Sequence, residues 1–82
     1  YETHARGLTR HPSAGVAAPG TYRAVIEKIP HLRALGVTAL ELLPVQAHSH
    51  RAARSYDPLT GAPLRNYWGY DPVALFAVEP AY

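Results

Sequence analysis

Leu35-Gly36-Val37-Thr38-Ala39-Leu40-Glu41-Leu42-Leu43-Pro44 is the stretch whose reading decides the fold class. Seven residues, 37–43, form an almost continuous apolar run closed by Pro44. A run of that kind directly after a helical pattern reads as a strand buried on both faces, which points to a parallel sheet. Upstream, Val25, Ile26, Ile29, Leu32 and Leu35 recur at helical spacing and give one apolar stripe. Thr21 is placed to cap that helix at its N-terminus, its hydroxyl accepting from a free backbone N–H. Gly36 suits the position that stops it. Pro30 conflicts locally, because inside a helix it removes one hydrogen bond and strains the preceding turn, so a kink or a new turn is expected there.

Further back, residues 10–20 hold two Pro and two Gly among small residues, which spells loop. Residues 1–9 interleave Tyr, Thr and Leu with polar residues and read as a strand ending near His11-Pro12. Strand, loop, helix and strand make one right-handed βαβ unit, whose strands require further strands beside them and whose helix covers one face only. After Pro44 the apolar pattern disappears over residues 45–65, which reads as a long loop. It leaves the C-terminal end of a parallel strand, where α/β folds place their ligands. Residues 72–78 are again apolar and extended.

About eighty residues make one small core at most, and this chain of 82 has no Cys to staple it. It opens on Tyr1 and lacks Met throughout, so it reads as a processed product, an excised piece or an incomplete chain. The absence of Cys is compatible with a reducing compartment, and a cytoplasmic location is expected. No apolar run approaches a membrane span and there is no signal-peptide pattern, so no membrane partner is expected. The net charge of +2 is scattered. Arg51, Arg54 and Arg65 near Tyr56, Tyr67 and Trp68 suggest a basic-aromatic nucleic-acid surface, but a solvated loop fits better and no nucleic acid is expected.

Asn66-Tyr67-Trp68-Gly69-Tyr70-Asp71-Pro72 concentrates three aromatics and a glycine. Ring faces cover sugar C–H faces while their polar tips hydrogen-bond, and Gly69 allows a sharp turn or a close approach by a ligand. The competing reading is an aromatic corner tying a loop to the core. His48-Ser49-His50 offers two imidazoles to a metal, with His4 or His11 as a third ligand. With no Cys and no tightly spaced carboxylate, that segment reads as a solvated loop, and neither metal nor cofactor is expected. Glu2 and Glu41 fall on expected strands and would be neighbours in a sheet. Paired carboxylates serve retaining glycosidases at about 5–5.5 Å separation. Glu41 sits within its strand rather than at the C-terminal lip, so a buried or hydrogen-bonded structural role is expected. No serine lies in a nucleophile elbow and no glycine loop cradles phosphate. The residues alone disclose no catalytic set.

Several stretches together resemble one family: Tyr1-Glu2-Thr3-His4, Leu8-Thr9-Arg10-His11-Pro12-Ser13, Pro19-Gly20-Thr21-Tyr22, the run from Leu35 to Val45, Asn66-Tyr67-Trp68-Gly69-Tyr70 and Phe76-Ala77. In wording, order and spacing they resemble the glycogen-debranching and isoamylase branch of the α-amylase superfamily. The resemblance spans nearly the whole chain except residues 47–64. It implies an α/β fold, a βαβ part of a (β/α)8 TIM barrel with the first two strands, the first helix and the long loop after strand 2. Residues 1–82 would then be one partial catalytic domain, stopping before the third barrel strand. It also implies retaining hydrolysis of α-1,6 branch linkages in glycogen-like glucans, with an Asp nucleophile and a Glu acid/base. Tyr70 matches the aromatic that stacks on the sugar before the scissile bond, and Asn66, Trp68 and Asp71 would shape that wall.

The family's catalytic carboxylates, its Asn-His motif and its His-Asp pair lie on later strands and have no counterpart among Glu2, Glu27, Glu41, Asp57, Asp71 and Glu79. No catalytic residue is therefore assigned, and the segment by itself is expected to be inactive. Asp71-Pro72 after Trp-Gly-Tyr is similar to the pullulanases as well. The expected partners are an α-glucan (glycogen, amylopectin or a limit dextrin) and the rest of the barrel. The alternative is a small stand-alone module that binds carbohydrate or protein through residues 66–71. Exposed Leu40, Leu42, Ile26 and Phe76 would speak for the barrel segment, and a closed core around them for the module.

Overall fold

The parallel pairing expected of the apolar run is present. In a computed structural model, which describes the backbone of residues 1–82 and the side chains of residues 1–51 and 55–82, β1 (Glu2–Thr3) pairs in parallel with β2 (Glu41–Leu42). The Glu41 N–H donates to the Tyr1 carbonyl and the Leu43 N–H to that of Thr3, each at 2.9 Å. Between these strands lie two short helices, α1 (Tyr22–Glu27) and α2 (Ile29–Ala34). Contacts divide the chain into two units, residues 1–43 with 80–82, and residues 44–79.

The first unit follows the local chemistry of its sequence at the helix ends. Thr21 Oγ1 accepts from the Ala24 N–H at 3.3 Å and donates to the Ala18 carbonyl at 2.8 Å. Pro30 resolves its conflict by occupying the first turn of α2, where a missing N–H breaks no intrahelical bond. The helix therefore restarts at Lys28 rather than continuing. Gly36, at φ 83°, ends α2: its N–H donates to the Arg33 carbonyl at 2.9 Å and that of Val37 to the Leu32 carbonyl at 3.0 Å. This is the Schellman arrangement, which a left-handed glycine permits.

Two strand expectations are corrected here. Residues 1–9 are not one strand: pairing covers Glu2–Thr3 and the chain then turns into a 3-10 segment, Gly7–Thr9. His4 causes this, because its Nδ1 accepts the N–H groups of Arg6 and Gly7 at 3.1 and 3.2 Å, and its carbonyl accepts from Leu8 at 3.0 Å. A side chain that captures the backbone competes with strand pairing. The run 37–43 likewise pairs only over Glu41–Leu42, although its hydrogen bonds reach back two residues to the Ala39 carbonyl and forward one to the Leu43 N–H. Residues 10–20 are loop as expected apart from a 3-10 turn, Pro12–Ala14, capped by His11. Thr9 is fully buried and its hydroxyl accepts from the Gly20 N–H at 2.9 Å, which fastens the far end of that loop.

The apolar stripe of the helices is only half covered. Ala24, Val25 and Leu32 are buried, whereas Ile26, Ile29 and Leu35 are exposed. Val25, Ile29, Leu32, Val37, Ala39 and Leu40 line an open recess of about 540 Å³.

In the second unit the expected loop over residues 45–65 is replaced by strands. β3 (Gln46–His48) pairs antiparallel with β6 (Pro72–Val78), and β4 (Arg51–Tyr56) with β5 (Pro63–Arg65). Both ladders contain register irregularities, which hide the two-residue alternation that marks a strand in sequence. The β4–β5 turn is built by Asp57, whose Oδ1 accepts the Leu59 N–H at 2.8 Å and the Thr60 N–H at 3.4 Å. The Leu59 bond, followed by those from Thr60, holds the Asp57 carboxyl below its ordinary value of 3.8. A depressed carboxyl stabilises the turn above its unfolded pKa, and that contribution is lost as pH falls through the lower folded value. Amide exchange at Leu59, corrected for intrinsic rate, should therefore quicken only below about pH 4. Asp57→Asn should abolish that pH dependence, and an unchanged profile in the variant would refute this account of the turn.

Candidate functional site

The densest grouping of chemistry-bearing side chains lies in the second unit, where β3, the start of β4 and the end of β6 meet. His48 closes β3, His50 precedes β4, and Glu79 follows β6. The Glu79 N–H donates to the Val45 carbonyl at 2.8 Å, which fixes the carboxylate beside β3. Glu79 Oε2 lies 3.3 Å from both the backbone nitrogen and Nδ1 of His48, and its Oε1 lies 3.1 Å from His50 Nε2. The side chains of His48 and Glu79 are 1 % exposed, and that of His50 is 46 % exposed. The two imidazole rings stand 5.0 Å apart.

Nδ1 of His48 also lies 3.2 Å from the Gln46 carbonyl, so in that hydrogen bond the ring donates to a backbone oxygen. A buried carboxylate is costly to desolvate and is kept by donors directed at it. Here one backbone N–H and two imidazoles perform that task. His48 is thus not part of a solvated loop, contrary to the sequence expectation, while His50 is largely open to solvent.

The aromatic run meets this grouping through Gly69. At φ 75° that residue turns its Cα toward the His48 ring, so that a Cβ built there would stand 3.1 Å from Nδ1 and 3.3 Å from Cε1. Asn66 sets the turn, since its Oδ1 accepts the Gly69 N–H at 3.2 Å and its own N–H donates to the His50 carbonyl at 3.1 Å. The Asp71 carbonyl accepts the Ser49 N–H at 3.0 Å. Of the four residues picked from sequence, Asn66 and Asp71 therefore shape the backbone around the histidines. Trp68 and Tyr70 are exposed, and Trp68 meets the Tyr67 ring edge-on at 5.3 Å. The run is thus a corner that ties a loop down, with Trp68 and Tyr70 exposed on it.

The other sequence candidates separate from this grouping. His4 is engaged in the first unit, Nδ1 by two backbone N–H groups and Nε2 by the Tyr82 hydroxyl at 3.2 Å. His11 Nδ1 accepts from the Ser13 N–H and lies 2.9 Å from the Ser13 hydroxyl. Glu2 and Glu41 are register partners as expected, but both are exposed, so the structural role expected for a buried Glu41 side chain is not observed. Arg51 and Arg65 are register partners with exposed side chains, and Arg54 lies outside the described residues. Among the described residues no helix is long and apolar enough to cross a membrane.

Sequence reasoning missed Glu79. Its only signal was an acidic residue closing an apolar run, and its meeting with His48 depends on the β3–β6 register, 31 residues apart.

No family model matches the chain. Over 77 residues, 94% of its length, it is 40% identical to isoamylase 1, chloroplastic, of Arabidopsis thaliana. The match covers 10% of that protein, so the chain spans about a tenth of the length of the curated relative and is related to an isoamylase over a short region.

Proposed function

We propose that residues 1–82 form the front of the catalytic (β/α)8 barrel of a glycosidase that cleaves α-1,6 branch linkages in glycogen-like glucans. The observation that carries this reading is the 40% identity to isoamylase 1 over 77 residues. It is supported by the parallel β1–β2 pair joined through α1 and α2, which has the form of one repeat of such a barrel. It is also supported by exposed apolar side chains: Ile26 is 63% exposed and Phe76 fully so, as expected of faces that further strands and helices would cover. Leu40 and Leu42 are half-buried. The stand-alone binding module expects a closed core around these residues and is disfavoured.

In the proposed enzyme Trp68 and Tyr70 are the sugar-facing aromatics, and Asn66 and Asp71 hold the turn that presents them. A sugar ring gaining positive charge in an oxocarbenium-like transition state is stabilised beside a π face. The nucleophile and acid/base would be supplied by barrel strands other than β1 and β2, and the reaction would retain anomeric configuration. We place the enzyme in the cytoplasm, with glycogen, amylopectin or a limit dextrin as its substrate.

The test is release of reducing ends from glycogen by the protein that contains these residues. Tyr70→Ala should lower kcat/KM by about 10-fold or more, equivalent to about 1.4 kcal/mol of transition-state stabilisation. Tyr70→Phe should retain most of the activity. If wild-type protein binds glucan yet releases no reducing ends, the hydrolase reading fails and the binding module replaces it.

A further inference from the structure

We propose that His48, His50 and Glu79 form a binding site for a divalent transition-metal ion, zinc by the character of its donors. One donor atom from each of the three side chains lies within 4.8 Å of the others. Two imidazole nitrogens and one carboxylate oxygen suit zinc, whereas calcium and magnesium select all-oxygen sets. With metal–ligand distances of about 2.0–2.2 Å, a tetrahedral ion holds its donors roughly 3.3–3.5 Å apart. The carboxylate lies between the two imidazoles on this scale, Oε2 3.3 Å from His48 Nδ1 and Oε1 3.1 Å from His50 Nε2, so it reaches an ion through both oxygens or through one after a small turn.

The surroundings also fit. Buried His48 and Glu79 form the fixed floor of the site, and Gly69 lies against the His48 ring and restrains its orientation. Half-open His50 would provide the entry, and on its solvent side a water would complete the coordination of a bound ion. Nδ1 of His48 faces the Gln46 carbonyl and Glu79 Oε2, so coordination through Nδ1 requires its ring proton to move to Nε2. The site draws its ligands from three separate points along the second unit, and an ion there would cross-link β3, β4 and β6. The inference does not depend on the glucan reading, because it rests on the second unit's own side chains and its readouts are independent of activity.

The experiment titrates zinc chloride into the chelator-stripped full chain by calorimetry and follows thermal unfolding with and without zinc. One ion per chain is expected, with a raised unfolding midpoint that EDTA reverses. His50→Ala, at the exposed ligand, should fold as wild type and weaken zinc binding by at least about 10-fold, the scale on which loss of even an outer-shell partner acts. Glu79→Gln should weaken it similarly, and His31→Ala, at an exposed position of α2 in the first unit, should leave it unchanged. The proposal is overturned if the stripped chain binds no zinc at millimolar concentration. It is equally overturned if His50→Ala binds as wild type, or if His31→Ala weakens binding as much as His50→Ala does.

Discussion

Glu79→Ala is expected to cost the protein about 1–3 kcal/mol of stability for the buried donor it leaves unmade, with the loss of packing added to it. Two effects act in the same direction. The truncation leaves a hole the size of a carboxymethyl group in a packed site, and it strands the buried His48 N–H, which Glu79 now receives at 3.3 Å, while the His48 ring keeps the Gln46 carbonyl and His50 turns to solvent. Stranding dominates, since each buried polar group left unmade costs about 1–3 kcal/mol. Glu79→Gln keeps the shape and one acceptor oxygen, so it should cost less than half as much. Urea denaturation compares the two variants directly. Equal losses would mean that the side chain is held by its packing and not by the donors around it.

The second large effect is expected at Gly69. Alanine there meets two penalties: a left-handed backbone, at φ 75°, and a Cβ that stands 3.1 Å from the His48 ring. The conformational part alone is about 1–2 kcal/mol. Gly61 has nearly the same backbone, φ 68°, with nothing within 4 Å of an added Cβ, so Gly61→Ala measures that part by itself. Gly69→Ala should exceed it by about 1–3 kcal/mol, the scale of overpacking at a site that cannot shift freely. His48 is buried and bonded to its surroundings, which leaves it little room to yield. Matched losses at the two glycines would show that the ring moves aside without cost.

What could be read in the sequence was whatever is decided within a few residues. The Thr21 cap, the Pro30 restart and the Gly36 stop each depend on one residue and its neighbours, and each was legible. The identification of Asn66-Tyr67-Trp68-Gly69-Tyr70 as an organised corner was local in the same way. Gly69 was read as a point of sharp turning or of close approach by a ligand; the turn is present, at φ 75°, and the group that lies close to it is the His48 ring. Failures came where a side chain or a distant strand overrides the local pattern. His4 captures two backbone N–H groups and ends β1 early. Irregular ladders break the alternation of β3, β4 and β5, so residues 45–65 read as loop. No spacing rule joins Glu79 to His48 and His50, because a strand register brings them together and not a motif.

The ladder registers also set an order of assembly in time. Tyr56 and Pro63, partners across the β4–β5 turn, are separated by 7 residues, whereas Gln46 and Val78 are separated by 32 and Glu2 and Glu41 by 39. Closing the longest of these loops costs roughly 1.5 kcal/mol more chain entropy than closing the shortest, at about 0.6 kcal/mol per doubling. The turn built by Asp57 and the two short helices thus have a head start, and the parallel pair is joined late, after the helices have shortened the path between its strands. A chain waiting on that last step presents two unpaired strand edges to its neighbours, and in that interval it is most open to association with other copies of itself.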